Sequence, residues 1–136
     1  MNYMNCIIKF VKKYLLMKNL NKILILFLAL LLNSCGESEM VSLIKNGTLE
    51  NYPEKNLGIA IDNYFGTPYW TSGESEDGEK FVNIEGRILF MDKEVDALLQ
   101  YTISADNTSF EYSALELNGI PQSNLIYLGL IESMYK

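Results

Sequence analysis

The chain of 136 residues contains no histidine, and this absence restricts its chemistry more than any other feature of its composition. Without histidine, a Ser-His-Asp triad, a Cys-His pair and every histidine-ligated metal site are excluded. Cysteine is nearly as scarce, since only Cys6 and Cys35 are present. Paired carboxylates are the catalytic groups that remain, because they can serve as acid and base in glycoside hydrolysis.

Basic and acidic residues are segregated along the chain. Residues 1–34 carry five lysines and no acidic residue, whereas residues 35–136 carry 6 basic and 17 acidic residues, a net charge of −11. Such asymmetry indicates two segments with different roles, a targeting leader followed by a soluble domain. The six scattered cations cannot form the basic patch that phosphate binding requires, so the composition argues against a nucleic-acid partner.

The apolar run Ile23–Leu32 has ten residues. A membrane-spanning helix needs about 20 apolar residues, whereas the apolar core of a signal peptide has about 7–15. Because the basic segment Met17–Lys22 precedes the run, we predict that residues 1–34 are a signal peptide. Met17 is a candidate initiator, and residues 1–16 would then not be translated.

The segment Leu32-Asn33-Ser34-Cys35 follows this run and resembles the lipobox of bacterial lipoproteins. The resemblance implies cleavage between Ser34 and Cys35 and a lipid, with palmitate-type acyl chains, on the Cys35 thiol. Two or more chains anchor a protein stably, since each buried CH₂ contributes about 0.8 kcal/mol. Residues 35–40 are then expected to form an acidic tether. The alternative is an uncleaved anchor helix with an incidental cysteine.

Lipidation of Cys35 implies a location in the cell envelope, on the extracytoplasmic side of the membrane. Gly36 stands where many lipoproteins retained at the inner membrane have aspartate, so the outer membrane is favoured in a cell with two membranes. Removal of residues 1–34 leaves Cys35 as the sole cysteine, and an internal disulfide is then impossible.

The periodicity of residues 41–136 predicts one small α+β domain. Apolar residues spaced three and four apart predict a helix over residues 56–66, with Asn56 as its N-cap and Gly66 at its carboxyl end. Gly58 weakens this helix by about 1 kcal/mol relative to alanine, which indicates a close neighbour. A short strand is expected before it at Val41–Ile44, and a closing helix over Pro121–Tyr135.

Alternating apolar residues predict four antiparallel strands between these helices. A two-residue turn at Asp92-Lys93 would pair Phe90 with Val95, and a second turn at residues 105–108 leads to a strand with a bulge near Ala114. Residues 69–73 form the remaining strand, and one of its two registers places Trp70 over Gly86. The predicted fold is a helix, a four-stranded meander and a C-terminal helix packed on the sheet.

Two segments, "YPEKNLGIAIDNYFGTPYW" (residues 52–70) and "LNGIPQSNL" (residues 117–125), resemble a small bacterial envelope domain of uncharacterised function. The resemblance covers most of residues 41–135 and implies fold and location, but no activity. A looser likeness is to small outer-membrane lipoproteins that assist barrel assembly, in which a helix pair precedes the strands; only one helix is predicted here. The features that carry the first resemblance are Gly58, Asp62, Phe65, Pro68, Trp70 and the turn Asn118-Gly119-Ile120-Pro121.

Three kinds of site are candidates. The carboxylates Glu85, Glu94 and Asp96 could flank a glycosidic bond, or simply form a solvated sheet face beside Arg87. The aromatic pair Tyr69 and Trp70 could form a binding surface, or belong to the core. The acidic segment "ESEDGE" (residues 74–79) lacks the ligand spacing of an EF-hand, so we predict a hairpin turn and no metal site, with weak calcium contact as the alternative.

The sequence thus predicts a lipid-anchored envelope protein that acts as a non-catalytic binding or scaffold module, without a cofactor. Its expected partners are the membrane, through Cys35, and another envelope protein or a second copy of itself. Two alternatives stay open. One is a carboxylate-dependent hydrolase of envelope polysaccharide. The other is a small-ligand-binding lipoprotein, which requires a cavity of roughly 300 Å³ or more between sheet and helix.

Overall fold

The computed structural model describes residues 37–136, which form one compact unit. The predicted signal peptide and the predicted processing site at Ser34 and Cys35 therefore lie outside the described residues. The elements, in chain order, are α1 (Glu39–Asn46), α2 (Leu57–Tyr64), β1 (Gly66–Glu74), β2 (Lys80–Phe90), β3 (Lys93–Ile103), β4 (Phe110–Leu117), β5 (Ile120–Pro121) and α3 (Asn124–Tyr135).

The five strands form one antiparallel sheet in the order β1-β2-β3-β4-β5. The α+β class and the meander are thus confirmed, with β5 as a short additional strand. Successive strand residues point to opposite faces, and the residues of one face are buried under the helices. This core is built largely from Val82, Ile84, Ile88, Leu99, Tyr101 and Leu115. The other face of the sheet, here called the outer face, is open to solvent.

The hairpin of β2 and β3 turns one residue earlier than predicted. Its two-residue turn is Met91-Asp92, with φ of 50° and 61°, as a type I′ turn requires. Phe90 therefore pairs with Lys93, and Ile88 pairs with Val95. The predicted pairing of Phe90 with Val95 is wrong by two residues. An even shift keeps every side chain on its face, so the apolar alternation cannot detect it.

The second hairpin is confirmed in register. Tyr101 pairs with Tyr112, and Gln100 pairs with Ala114, so Ser113 is the extra residue of a bulge. The alternation of apolar residues changes phase at this bulge, which is the signal that predicted it.

The segment expected to be a strand at Val41–Ile44 lies instead inside α1. Ser38 caps this helix, because its Oγ accepts a hydrogen bond from the backbone N–H of Val41 at 3.2 Å and another from Ser72 Oγ at 2.8 Å. Two helices therefore precede the strands. The folded unit begins at Glu37 and α1 at Glu39, so the expected acidic tether over residues 35–40 is wrong for residues 37–40.

Helix α2 packs against α1 at Gly58, which confirms the expected close neighbour and identifies it as a helix that was not predicted. A Cβ atom at Gly58 would lie 2.8 Å from the carbonyl oxygen of Lys45 in α1. The helix ends at Tyr64, and its C-cap is Phe65 in an extended conformation rather than Gly66. Phe65 also covers Gly86, whose Cβ would lie 3.0 Å from Phe65 Cδ1.

Trp70 pairs with Ile84, so the register that would have placed it over Gly86 is wrong. A register shift lies between Gly66 and Tyr69, where Thr67 has a φ of 45°. The side chain that covers Gly86 is Phe65.

Helix α3 begins at Asn124, three residues later than predicted, because Ile120 and Pro121 belong to β5. It packs on the sheet through Tyr127, whose ring stacks on that of Tyr112 with centroids 3.6 Å apart. Within residues 37–136, no helix has the length and hydrophobicity that a bilayer crossing requires.

Candidate functional site

A shallow depression of about 520 Å³ lies on the outer face of the sheet. Strand β2 contributes Glu85 and Arg87, β3 contributes Asp96, and β1 contributes Tyr69. Glu116 of β4 completes its charged rim. The outer face therefore brings three carboxylates, one guanidinium and one exposed aromatic ring around one open surface.

Arg87 is ion-paired across this surface. Its Nε lies 3.4 Å from Asp96 Oδ1 and its Nη1 lies 3.9 Å from Glu94 Oε2. All three side chains are 70–79% exposed, so each pair contributes about 0–1 kcal/mol to stability. Of the three predicted carboxylates, Glu85 and Asp96 line the depression and Glu94 does not. A carboxyl group that donates a proton in catalysis is usually buried in an apolar environment. The carboxylates of this depression are not buried.

The aromatic pair does not form a single surface. Tyr69 is 65% exposed on the outer face, opposite Glu85. Trp70 points to the helical side, where it packs against the core and lies under Lys45, whose Nζ is 5.0 Å from the ring centroid. Adjacent residues of a strand point to opposite faces, so only Tyr69 is available to a ligand.

Residues 75–79 of the acidic segment form the turn between β1 and β2, as predicted, and Glu74 is the last residue of β1. Backbone hydrogen bonds from Ser75 to Glu79 and from Gly78 to Ser75 close it. Among residues 37–136, no three acidic or cysteine side chains are grouped to hold a metal ion.

A cluster of tyrosines joins α3 to the sheet and to the loop between α1 and α2. Tyr101 is fully buried, and its hydroxyl lies 3.2 Å from that of Tyr127. Burial raises the pKa of Tyr101 well above the ordinary value, and the neighbouring Tyr127 raises it further. Burial also raises the pKa of Tyr127. These hydroxyls stay protonated at neutral pH and pair with each other, which is typical of a structural core.

The same cluster continues to Tyr135, whose ring stacks on that of Tyr52 with centroids 4.3 Å apart. Its buried hydroxyl has no hydrogen-bond partner. The pKa of Tyr135 is raised to about 12, mainly by burial and further by the nearby Tyr127 and Glu54. A surface cleft of about 410 Å³ lies between this loop and α3. Between the sheet and the helices, the buried side chains form one apolar cluster.

Three of the exposed apolar side chains of residues 37–136 lie toward one end of the sheet. We call it the hairpin end, defined by the β2–β3 turn at Met91-Asp92. Met91 is 80% exposed and Leu89 is 60% exposed. Ile120, 64% exposed, lies after the neighbouring β4–β5 turn, which is joined to Asp96 by backbone and side-chain hydrogen bonds.

Comparison with models of known protein families, with curated proteins and with solved structures found no match for this chain. The sequence predicted Glu85, Glu94 and Asp96 on one sheet face beside Arg87, but not that Tyr69 and Glu116 share this face, which depends on the registers of β1 and β4. The apolar hairpin end was not predicted from the sequence, since the alternation of apolar residues in β2 continues into its turn.

Proposed function

We propose that this chain is a lipid-anchored protein of the cell envelope whose residues 37–136 act as a non-catalytic binding or scaffold module. The observation that carries the proposal is the segment Leu32-Asn33-Ser34-Cys35 directly after a ten-residue apolar run and a basic start. The charge asymmetry supports it, because the acidic half begins where the predicted signal peptide ends. The domain would face the extracytoplasmic side, at the outer membrane if the cell has two.

Metabolic labelling with a fatty-acid probe tests this proposal. The wild-type chain should incorporate the probe, whereas Cys35→Ala should not and should accumulate as the longer precursor. Cys6→Ala is the matched control, because it removes the other cysteine but leaves the processing site intact; it should label like the wild type. Label that persists in Cys35→Ala, or its absence from the wild type, would contradict the proposal.

The binding role is supported by the apolar hairpin end and by the open outer face. Apolar residues are common at protein interfaces, where a few of them dominate the binding energy. A partner protein of the envelope, or a second copy of this chain, would cover Leu89 and Met91. Crosslinking in intact cells should trap one discrete adduct, and Met91→Lys should abolish it. A clean monomer in the wild type would argue against a protein partner.

A carboxylate-dependent hydrolase remains the second candidate, because Glu85 and Asp96 share one depression. This alternative predicts that the purified domain releases soluble fragments from envelope polysaccharide and that Glu85→Gln and Asp96→Asn each abolish the release. If wild type and both variants release nothing while the fold is retained, the binding role is favoured.

A further inference from the structure

The distance between the proposed anchor and the folded domain is very short. Glu37 already belongs to the domain, because its carboxylate is paired with Lys45 and accepts a hydrogen bond from Ser42 Oγ at 3.2 Å. The hydrogen bond from Lys45 lowers the pKa of Glu37. Only Gly36 separates Glu37 from Cys35. Two residue steps span at most about 7 Å, even when fully extended.

The fold determines which part of the domain lies beside Glu37. Ser38 is hydrogen-bonded to Ser72, near the end of β1 where the acidic turn follows. Glu37, Glu39 and Asn107 line one depression, so the turn between β3 and β4 lies next to the amino end of α1. We call this end of the sheet, with its turns at residues 75–79 and 104–109, the α1 end.

The hairpin end lies at the opposite end of the same strands. Strand β2 runs from Lys80 at the α1 end to Phe90 at the hairpin end, and β3 returns over the same length. The ten residue steps between the ends of this 11-residue strand, at about 3.3 Å each, give a separation of roughly 33 Å. This distance is several times the reach of the two residue steps from Cys35.

We propose that the α1 end lies against the lipid headgroups and that the hairpin end points away from the membrane. This inference rests on the proposed lipidation of Cys35. The short covalent connection places Glu37 at the bilayer surface, and the domain cannot enter the hydrocarbon because its surface is charged. The exposed Leu89 and Met91 are then presented to partners away from the anchoring membrane.

Charge attraction does not set this orientation. The turn at residues 74–79 places four acidic residues at the α1 end, and Asp106 adds another. Anionic headgroups would repel this end, so the tether must hold it at the surface. Vesicles of zwitterionic phosphatidylcholine therefore isolate the effect of tether length.

The test uses the full chain, processed in cells, purified with its lipid and reconstituted into phosphatidylcholine vesicles. The thiol of Cys35 is consumed by the lipid and Cys6 is removed with the signal peptide, so a new cysteine is the sole free thiol. Ala105→Cys at the α1 end and Met91→Cys at the hairpin end are labelled separately with one fluorophore. Both positions are exposed, and neither side chain makes a hydrogen bond.

Lipids carrying a nitroxide on the headgroup should quench most of the fluorescence at Ala105→Cys and little at Met91→Cys. A flexible 20-residue Gly/Ser linker inserted before Glu37 spans about 25 Å, and it should remove most of this difference. Equal quenching without the linker would overturn the orientation, and a difference that survives the linker would overturn the role of the tether. Failure of the protein to carry lipid at all would instead contradict the proposed function, which mass analysis of the same sample detects.

Discussion

Two helical glycines predict opposite effects of the same substitution. A Cβ atom at Gly58 would lie 2.8 Å from the carbonyl oxygen of Lys45 and 2.9 Å from its Cα. Contacts below 3.0 Å with backbone atoms cannot be relieved by a rotamer change, so α1 and α2 would have to separate. Gly129 of α3 has no atom within 4 Å of its Cβ position. Alanine there adds a better helix former without adding a clash.

The magnitudes follow from these contacts. Alanine in place of glycine stabilises a helix interior by about 1 kcal/mol, and overpacking costs about 1–3 kcal/mol. Because the neighbours of Gly58 are backbone atoms, we expect Gly58→Ala to destabilise the domain by about 1–2 kcal/mol. Gly129→Ala should stabilise it by about 1 kcal/mol.

Urea unfolding of residues 37–136, followed by circular dichroism, measures both effects. The two midpoints should move in opposite directions, with unchanged dependence of the unfolding free energy on urea. If Gly58→Ala stabilised the domain as much as Gly129→Ala, the close packing of α1 on α2 would be refuted.

Two further predictions concern the tyrosine cluster. Tyr101→Phe and Tyr127→Phe should each lower the free energy of unfolding by about 1–3 kcal/mol, because each leaves one buried hydroxyl unpaired. In a double-mutant cycle, the double variant should lose less than the sum of the two single losses. Full additivity would argue against the hydroxyl pair. Tyr135 has a pKa of about 12 when folded and of about 10 when unfolded, so the unfolded state releases its proton first and stability should fall between about pH 10 and 12. Tyr135→Phe should stabilise the domain at neutral pH, since the lost hydroxyl has no partner. In urea titrations at several pH values, it should also reduce the loss of stability between about pH 10 and 12. An unchanged pH dependence would mean that a group other than Tyr135 causes that loss.

Most of the fold could be predicted because each element carries a strong local pattern. The spacing of apolar residues identified α2 and α3, and alternation identified the four long strands. The register of β2 and β3 could not be predicted, because a two-residue shift leaves all faces unchanged and Met91 is an unusual residue at a position with positive φ. Helix α1 was not predicted, because the short run with β-branched residues at Val41–Ile44 favours a strand, whereas the cap at Ser38 is the signal for the helix.

The candidate sites were less predictable than the fold. Tyr69 and Trp70 are adjacent in sequence, yet strand geometry places them on opposite faces. The depression at Glu85 and Asp96 depends on which residues of three strands face each other, and charge composition carries no information about that. Processing at Cys35 is predicted from the sequence motif alone, so the fold of residues 37–136 does not bear on it.

The central claim is lipid attachment at Cys35, and the mass of the amino-terminal tryptic peptide tests it most directly. Cleavage after Lys45 should release a peptide that begins at Cys35 and carries the added mass of a diacylglycerol thioether, with or without a further acyl chain. A peptide that runs unbroken from Ile23 to Lys45, or one that begins at Cys35 with a free thiol, would contradict the account.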